Sequence, residues 1–269
     1  MRGRTGERGP VRRVYDRIGV GYAKHRCADP RLVGALAEVL ALEPPAILAD
    51  IGAGTGNYAR AMADVGFLVE AVEPSAVMRA QAAPHPRVVW LGGVAEALPL
   101  GGASVDGVLC ILASHHFSDL ETAIAEMARI CPAGPIVWFT LDPRLEELPW
   151  LRDYFPEVHQ RGLRLLPPLE EVRGLLELHS RRRVTVTSWL VPHDLEDCFW
   201  ASGWRRPEMY LDPEVRACIS VFALADSTTL EEGLDRLRRD IESGLWEANC
   251  ATVLERDVID WGYRFLKAL

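Results

Sequence analysis

Three glycines at alternate positions follow the first short apolar run of the sequence. Gly52, Gly54 and Gly56 form a G-x-G-x-G string, and Asp50 stands two residues before it. Glycines in such a turn let the backbone bend sharply and let a ligand come close to the main chain. A helix that starts directly after the turn presents unpaired N–H groups. This stretch therefore predicts a site for a nucleotide-like cofactor.

The residue types within the turn separate two classes of cofactor. Enzymes that bind dinucleotides use G-x-G-x-x-G, with the pyrophosphate on the helix N-terminus. The third glycine of that pattern would occupy position 57, where this sequence has Asn57. A carboxylate at Asp50 would repel a pyrophosphate, whereas it suits a cofactor that carries an ammonium group. A nicotinamide dehydrogenase is therefore the less favoured alternative.

A second acidic residue, Glu73, lies 21 positions after Gly52, at the end of another apolar run. An acid at this place can accept hydrogen bonds from both hydroxyl groups of a ribose, as it does in dinucleotide folds. Glu73 thus indicates an adenosine-type cofactor without deciding which one.

Short apolar runs that alternate with helical stretches must position these residues. The runs, rich in Val, Ile and Leu as strands buried on both faces are, cover Ala46–Asp50, Leu68–Glu73, Val88–Leu91, Val105–Leu109 and Ile136–Thr140. The helical stretches are Pro30–Ala41, Tyr58–Val65, Ala76–Gln81 and Leu120–Ile130, the last started by a capping box from Ser118 to Glu121. The alternation predicts an α/β fold: a doubly wound, mostly parallel Rossmann-like sheet with helices on both faces.

The second half of the chain is mostly helical. Helical spacing fills 144–160 and 169–179, Arg183–Leu190 has the alternation of a strand, and Val258–Ala268 suits a closing strand. A capping box from Thr229 to Glu232 predicts the start of a further amphipathic helix. These N-terminal helices and this helical C-terminal insertion or cap complete the predicted fold.

The string from Asp50 to Gly56, D-x-G-x-G-x-G, resembles motif I of the class I S-adenosylmethionine-dependent methyltransferases. The stretch 93–100 (GVAEALPL), followed by Ser104–Asp106, is similar to the segment that flanks the adenine in that family. The N-terminal segment with Tyr22 and Arg26 resembles the lead-in helix of the methyltransferase type 11 group, which closes over the amino-acid end of the cofactor.

The resemblance implies S-adenosylmethionine as the cofactor and S-adenosylhomocysteine as its product. The residues that it implies as cofactor contacts are Tyr22, Arg26, Asp50, Gly52, Ala53, Gly54, Glu73, Pro74, Ala95, Glu96 and Cys110.

Two adjacent histidines, His115 and His116, follow the fourth apolar run. They lie at the carboxyl edge, where open α/β sheets bind ligands, and a histidine with an ordinary pKa of about 6.5 can serve as a general base. Neighbouring side chains on a loop point in different directions, so at most one should face the reacting methyl, and His116 is the first choice. A substrate-lining role and a purely structural role stay open.

Aromatic residues are concentrated in the C-terminal part, where five of the eight tryptophans fall in 189–261. Trp200, Trp204 and Arg205 are candidates to line a pocket for a flat or carboxylated acceptor. The region 143–269 could act as a substrate cap, a second core layer or a dimer interface, and the sequence leaves these alternatives and the oligomeric state open.

Composition disfavours several other classes of protein. A formal net charge of −8 disfavours nucleic acid as the partner, and no apolar run reaches the roughly 18 residues of a membrane span. The first 13 residues contain arginines and no apolar core of a signal peptide. The six cysteines have neither C-x-x-C nor Cys/His ligand spacing. We therefore expect reduced thiols, a cytoplasmic location and no metal.

These features predict S-adenosylmethionine-dependent methyl transfer to an O, N or C atom of a small molecule by in-line displacement. Residues 1–13 are expected to form a disordered tail, 14–142 the cofactor-binding core with its N-terminal helices, and 143–269 the remaining strands with a helical substrate cap. A methyltransferase acting on RNA or protein is the main alternative. A non-catalytic scaffold with the cofactor fold is the other.

Overall fold

The computed structural model describes residues 25–145 and 150–269. The predicted tail at 1–13 and the predicted cofactor contact Tyr22 lie outside the described residues.

One seven-stranded sheet organises the molecule. The described residues contain nine strands, of which seven belong to this sheet. They are β1 (Ile47–Ile51), β2 (Leu68–Val72), β3 (Val88–Leu91), β4 (Gly107–Ile111), β5 (Ile136–Leu141), β6 (Val184–Ser188), β7 (Val191–Pro192), β8 (Val258–Ile259) and β9 (Tyr263–Ala268). The order in the main sheet is β3-β2-β1-β4-β5-β9-β6, and β7 pairs with β8 separately. Strands β1 to β5 pair in parallel, whereas β9 runs antiparallel to both β5 and β6.

This order confirms the predicted doubly wound, mostly parallel sheet. The chain proceeds from β1 outward to β2 and β3, and then returns to place β4 on the other side of β1. In open α/β sheets the carboxyl ends of the strands on either side of such a reversal form the crevice that binds ligands. The fold therefore directs attention to the residues that follow β1 and β4.

Helices cover both faces of the sheet. They are α1 (Pro30–Leu40), α2 (Asn57–Val65), α3 (Ala76–Arg79), α4 (Leu120–Ile130), α5 (Trp150–Tyr154), α6 (Pro156–Leu165), α7 (Leu169–Ser180), α8 (Pro213–Ala217), α9 (Ser220–Ala223), α10 (Ser227–Glu242), α11 (Leu245–Asn249) and α12 (Ala251–Leu254). Short 3-10 turns occur at Ser114–His116, Pro143–Leu145 and Pro207–Leu211.

Two hydrophobic clusters form the core, one on each face of the sheet. Helices α1 and α2 pack on one face, and α4 and α7 pack on the other. The side chains of alternate β5 residues separate accordingly, because Val137 and Phe139 belong to the first cluster and Trp138 to the second. Apolar residues of the C-terminal helices belong to the first cluster, so this part of the chain shares its core with α1 and α2.

Both predicted capping boxes are wrong by a few residues. Helix α4 is capped by Asp119, whose carboxylate accepts from the backbone N–H of Thr122 at 3.1 Å. Helix α10 is capped by Asp226, whose carboxylate accepts from Thr228 and Thr229. In each case a carboxylate lies closer to the first free N–H groups than the predicted hydroxyl residue does, and an anion is also favoured by the helix dipole.

The predicted closing strand Val258–Ala268 is divided in two. Gly262 has a φ of +88°, and a Cβ there would lie 2.4 Å from the backbone oxygen of Asp142. The chain turns at this glycine, so β8 pairs outside the main sheet and β9 enters it. Among the described residues, no helix is both long and apolar enough to cross a membrane.

Candidate active site

The glycine turn lies directly after β1, between the ends of β2 and β4. The backbone N–H groups of Gly52 and Ala53 both donate to the carbonyl oxygen of Val72, at 2.9 and 3.1 Å. Gly52 has a φ of +77°, and a Cβ at this position would lie 2.6 Å from the Cβ of Ala113. Only glycine meets both conditions without strain, and the turn consequently touches the loop that follows β4.

Glu73 lies beside the turn, as predicted. Its Oε2 accepts from the N–H of Gly54 at 3.1 Å, and its Oε1 accepts from the N–H of Ser75 at 2.8 Å. A carboxylate has about four lone-pair sites, so these two bonds orient the group and leave capacity for hydroxyl donors. On the other side of the turn, a Cβ at Gly54 would meet only the Met78 Cε, at 3.6 Å. This open, partly exposed turn with an oriented acid fits a ribose-bearing cofactor.

Asp50 is buried within β1 below the turn. Burial and, to a smaller degree, the nearby negative charge of Glu73 raise the pKa of Asp50 to about 7. A carboxylate in this situation is stabilised by an added positive charge. The site thus suits a cofactor that brings a cation and opposes one that brings a pyrophosphate.

The remaining implied cofactor residues have different surroundings. Pro74 is half-buried after Glu73, whereas Ala95 and Cys110 are buried apolar positions. Glu96 accepts hydrogen bonds from the N–H and hydroxyl of Ser118 and from the N–H of Asp119. Its carboxylate therefore holds the loop after β3 against the start of α4. Adenine contact by Ala95 and Glu96 stays a prediction.

A strained residue directs the loop after β4. Leu112 has a φ of +51°, in the left-handed region that non-glycine residues avoid at a cost of about 1–2 kcal/mol. Its N–H donates to the carbonyl oxygen of Phe139 at 2.9 Å, which holds the chain in this conformation. The 3-10 turn Ser114–His116 follows at once and presents both predicted histidines to one cavity.

The two histidines form a closely packed pair. Their ring centroids are 3.7 Å apart, and the Nε2 of His115 lies 3.0 Å from the Oγ of Ser220 in α9. Burial, with a smaller contribution from the positive charge of Arg26, lowers the pKa of His115 to about 4. Burial and the neighbouring His115 lower the pKa of His116 well below its usual value. Both imidazoles are consequently neutral at physiological pH.

The cavity in front of the histidines has a volume of about 90 Å³. Its walls come from the loop after β4, the end of β5, helix α6, the segment before and within α9, and the first residue of β9. The described residues that line it are Arg26, Leu112, His115, His116, Leu141, Pro143, Val158, His159, Gly162, Leu165, Leu166, Phe199, Trp200, Cys218, Ile219, Ser220, Val221 and Tyr263. The glycine turn does not line this cavity, although it touches the loop after β4 at Ala113.

Arg26 is held in the cavity wall by a buried acid. Its guanidinium Nε and one terminal nitrogen donate to the two carboxylate oxygens of Asp197, which is 1% exposed. The hydroxyl of Tyr58 also donates to Asp197, at 2.8 Å. The amide of Asn57 donates to the carbonyl oxygen of Arg26 at 2.5 Å. Asn57 thus binds the main chain of Arg26, and Tyr58 binds the carboxylate that holds the guanidinium of Arg26.

The three predicted substrate residues fall in different places. Trp200 lines the cavity. Trp204 is fully buried elsewhere, where its indole N–H is shared between the carbonyl oxygens of Val191 and Pro192. Arg205 donates to the carbonyl oxygen of Arg256. Neither Trp204 nor Arg205 is among the residues that line the cavity.

Sequence reasoning missed most of the distant cavity residues. His159, Phe199, Ser220 and Tyr263 carry no motif that sets them apart, and Asp197 looks like any surface acid in the sequence. Asn57 and Tyr58 stand directly after the glycine turn, and this position is the one local signal that could have marked them.

Comparisons with known proteins bear on the family and the fold. A family model described as a methyltransferase domain matches residues 49–139. The crystal structure of a candidate methyltransferase from an antibiotic biosynthesis pathway of Anabaena variabilis is 48% identical, with a TM-score of 0.88. That comparison covers 91% of this chain and 99% of the other.

Two further comparisons are more distant. An uncharacterized methyltransferase of Mycobacterium tuberculosis is 34% identical over 155 residues, which are 55% of this chain and 60% of the relative. The match thus spans about 60% of the length of this curated relative. A Haemonchus contortus phosphoethanolamine N-methyltransferase in complex with S-adenosyl-L-methionine is 19% identical, with a TM-score of 0.58, and covers 97% of this chain and 60% of that one. At that identity the likeness concerns the fold alone.

Proposed function

We propose, from the premise that the chain belongs to the S-adenosylmethionine-dependent methyltransferase family, that it methylates a small molecule held in the histidine-lined cavity. The observation that carries this proposal is the position of the cavity. Residues of the loop after β4 line it, and the glycine turn touches the same loop at Ala113. A cofactor at the turn and an acceptor in the cavity would then meet at this loop.

The residues around the turn would hold the cofactor. Glu73 is oriented to accept the ribose hydroxyls, and the buried Asp50 favours a nearby cation. When bound, S-adenosylmethionine supplies an electrophilic methyl group that an acceptor lone pair displaces in line. The task left to the protein is to align the acceptor at close distance and to exclude water.

The cavity residues would perform that task on the acceptor. A neutral imidazole has one donor and one acceptor nitrogen, so His115 and His116 can each accept a hydrogen bond from an acceptor O–H or N–H, or donate one to an acceptor oxygen. The bond between His115 and Ser220 fixes the ring of His115. A general base with such a low pKa is weak, so the histidines orient the acceptor more than they drive its deprotonation. Either histidine can fill this role, with His116 still the first choice.

A small acceptor fits the cavity better than a polymer does. Residues of α6 and α9 form part of its walls, and the net charge of −8 opposes the phosphate contacts of an RNA substrate. A cytoplasmic location belongs to the same proposal, because all six cysteines, which lie within the described residues, are free thiols and disulfides persist in oxidising compartments.

Titration calorimetry of the purified protein with S-adenosylmethionine, S-adenosylhomocysteine and NADH tests the cofactor. We expect both sulfur nucleosides to bind and NADH to give no heat. Incubation with S-adenosylmethionine and either a small-molecule library, total RNA or denatured protein, followed by mass spectrometry, tests the acceptor class. Methylation confined to RNA or protein would contradict the proposal, as would NADH binding alone.

A further inference from the structure

The chemical class of the acceptor can be narrowed from the walls of the cavity. We propose that the acceptor is a small, flat molecule with an acidic hydroxyl group, a phenol or an enol, which the cavity holds as its anion. This inference rests on the proposed function and concerns the same site.

The shape and polarity of the cavity favour a flat apolar body. Most of its lining is aliphatic or aromatic, and rings are supplied by Phe199, Trp200 and Tyr263. A volume of about 90 Å³ is smaller than that of an engineered cavity of about 150 Å³ that binds benzene, so the cavity encloses no more than about one small ring. Aromatic walls contact a planar ligand through their faces and edges.

The charges around the cavity favour an anion. Among the described residues that line it, none is Asp or Glu, whereas Arg26 is a permanent cation. Asp197 pairs with Arg26 but does not line the cavity, so of this ion pair only the guanidinium borders the ligand space. An ammonium group would find no carboxylate partner in these walls, and desolvation without a partner is costly.

The weakness of the histidine bases points to the same class. An aliphatic alcohol resembles water and is a far weaker acid than a phenol, whose pKa is about 10. Proton transfer to a given base is therefore about a million-fold less favourable from the alcohol than from the phenol. With the pKa of His115 at about 4, a hydroxyl acceptor has to be acidic in its own right.

Methyl transfer to such an acceptor requires no reactant other than S-adenosylmethionine and water. The acceptor hydroxyl loses its proton to water, and its oxygen remains in the cavity as an anion near Arg26. An electron pair of this anion, from oxygen or from the adjoining ring or enol carbon, forms the new bond to the methyl carbon. The bond between that carbon and sulfur breaks, and its electron pair stays on sulfur. On the carbon route an enolate gives the methylated ketone directly, whereas a phenolate gives a dienone that loses its ring proton to water and takes up a proton on oxygen.

The test is the ionisation of 4-nitrophenol bound to the full-length protein with S-adenosylhomocysteine present. The anion of this probe has its own visible absorption band, so the measurement requires no turnover. The groups that face the cavity and carry charge or titrate are Arg26 with Asp197, His115, His116, His159, Cys218 and Tyr263. We expect the pKa of the bound probe to fall by about one unit or more, which corresponds to roughly tenfold tighter binding of the anion.

Two variants identify the source of the effect. The double substitution Arg26→Gln/Asp197→Asn removes both charges while amides replace the paired groups, and the shift should be lost. Arg238→Gln removes one arginine from the surface of α10, where it pairs with Asp235, and the shift should be retained. If the double variant does not fold, the comparison of wild-type protein with 4-nitrophenol and with benzylamine decides, because benzylamine should bind at least tenfold more weakly.

The outcomes separate this inference from the proposed function. A protein that binds S-adenosylhomocysteine but leaves the pKa of the probe unchanged or raises it, or that prefers benzylamine, overturns the acceptor class alone. A protein that does not bind S-adenosylhomocysteine overturns the proposed function, and the inference with it.

Discussion

The hydroxyl group of Tyr58 donates a hydrogen bond of 2.8 Å to the carboxylate of Asp197, across 139 residues of sequence. Tyr58 is the second residue of the helix that starts at the glycine turn, and Asp197 holds the guanidinium of Arg26 in the cavity wall. The predicted cofactor turn and the acceptor cavity are therefore joined by one buried network.

The variant Tyr58→Phe tests the network. It removes one donor from a buried carboxylate, so we expect the free energy of unfolding to fall by about 1–3 kcal/mol. Urea denaturation measures this change. Tyr154→Phe is the matched control, because its hydroxyl donates to Asp240 at a less buried place, at 2.7 Å. An equal loss in both variants would mean that burial of Asp197 has no special effect.

Replacement of Glu73 tests the ribose contact. Glu73→Ala removes two oriented acceptors for the cofactor hydroxyls. The free energy with which the protein binds S-adenosylhomocysteine, measured by calorimetry, should become less favourable by about 1.5–3 kcal/mol. Glu70→Ala provides the control, because Glu70 lies within β2, three residues before Glu73 in the sequence. Unchanged affinity in the Glu73 variant would remove this residue from the site.

The substitution Gly52→Ala tests the shape of the turn. A methyl group there combines the positive φ with an overlap against Ala113, so we expect a loss of about 2–4 kcal/mol in stability. Gly174→Ala in α7 makes the same chemical change where nothing lies within 4 Å. The free energy of unfolding of that control should rise by about 0.5–1 kcal/mol, because alanine favours the helix. Thermal and urea denaturation of the pair give both values.

The raised pKa of Asp50 makes stability depend on pH. In the folded protein Asp50 keeps its proton up to about pH 7, whereas in the unfolded chain it loses it above about pH 4. Between these values the folded state binds the additional proton, so its stability falls as pH rises, by up to about 1.4 kcal/mol per unit. The side chain in the variant Asp50→Asn does not titrate. Its free energy of unfolding, measured by urea denaturation, should therefore rise relative to that of the wild type between pH 5 and pH 7. A constant difference would contradict the prediction.

The depressed pKa of His115 predicts a pH profile for methyl transfer. The imidazole that accepts a hydrogen bond must be neutral, and with a pKa of about 4 it stays neutral at every higher pH. We therefore expect no histidine-linked loss of kcat/KM as the pH falls from about 8 to 6. His115→Gln keeps a group that can bond to Ser220 and serves as the control for packing. A descending limb near the ordinary histidine pKa of about 6.5 would show that the pair is charged during catalysis.

Local sequence signals were sufficient wherever the structure depends on neighbouring residues. The predicted runs at the first five strands correspond to β1 to β5, and the predicted bounds of β3 and α4 agree with the structure. Glu73 could be placed beside the turn because it directly follows the strand that neighbours the glycine turn, and adjacent parallel strands end at the same edge of a sheet. The helix caps were wrong because several acceptors precede each helix, and only the backbone geometry decides between Ser118 and Asp119.

The sequence by itself determined the parallel sheet, the glycine turn and the acid beside it, because short-range periodicity, glycine conformation and strand length act within a few tens of residues. Only the tertiary structure decided which distant side chains meet at the cavity. Trp200 and Trp204 are alike in the sequence, yet one lines the cavity and the other donates its N–H to buried carbonyl groups. Arg26, His115 and Ser220 meet because packing of the C-terminal helices buries apolar surface, and that burial depends on shape complementarity over the whole chain.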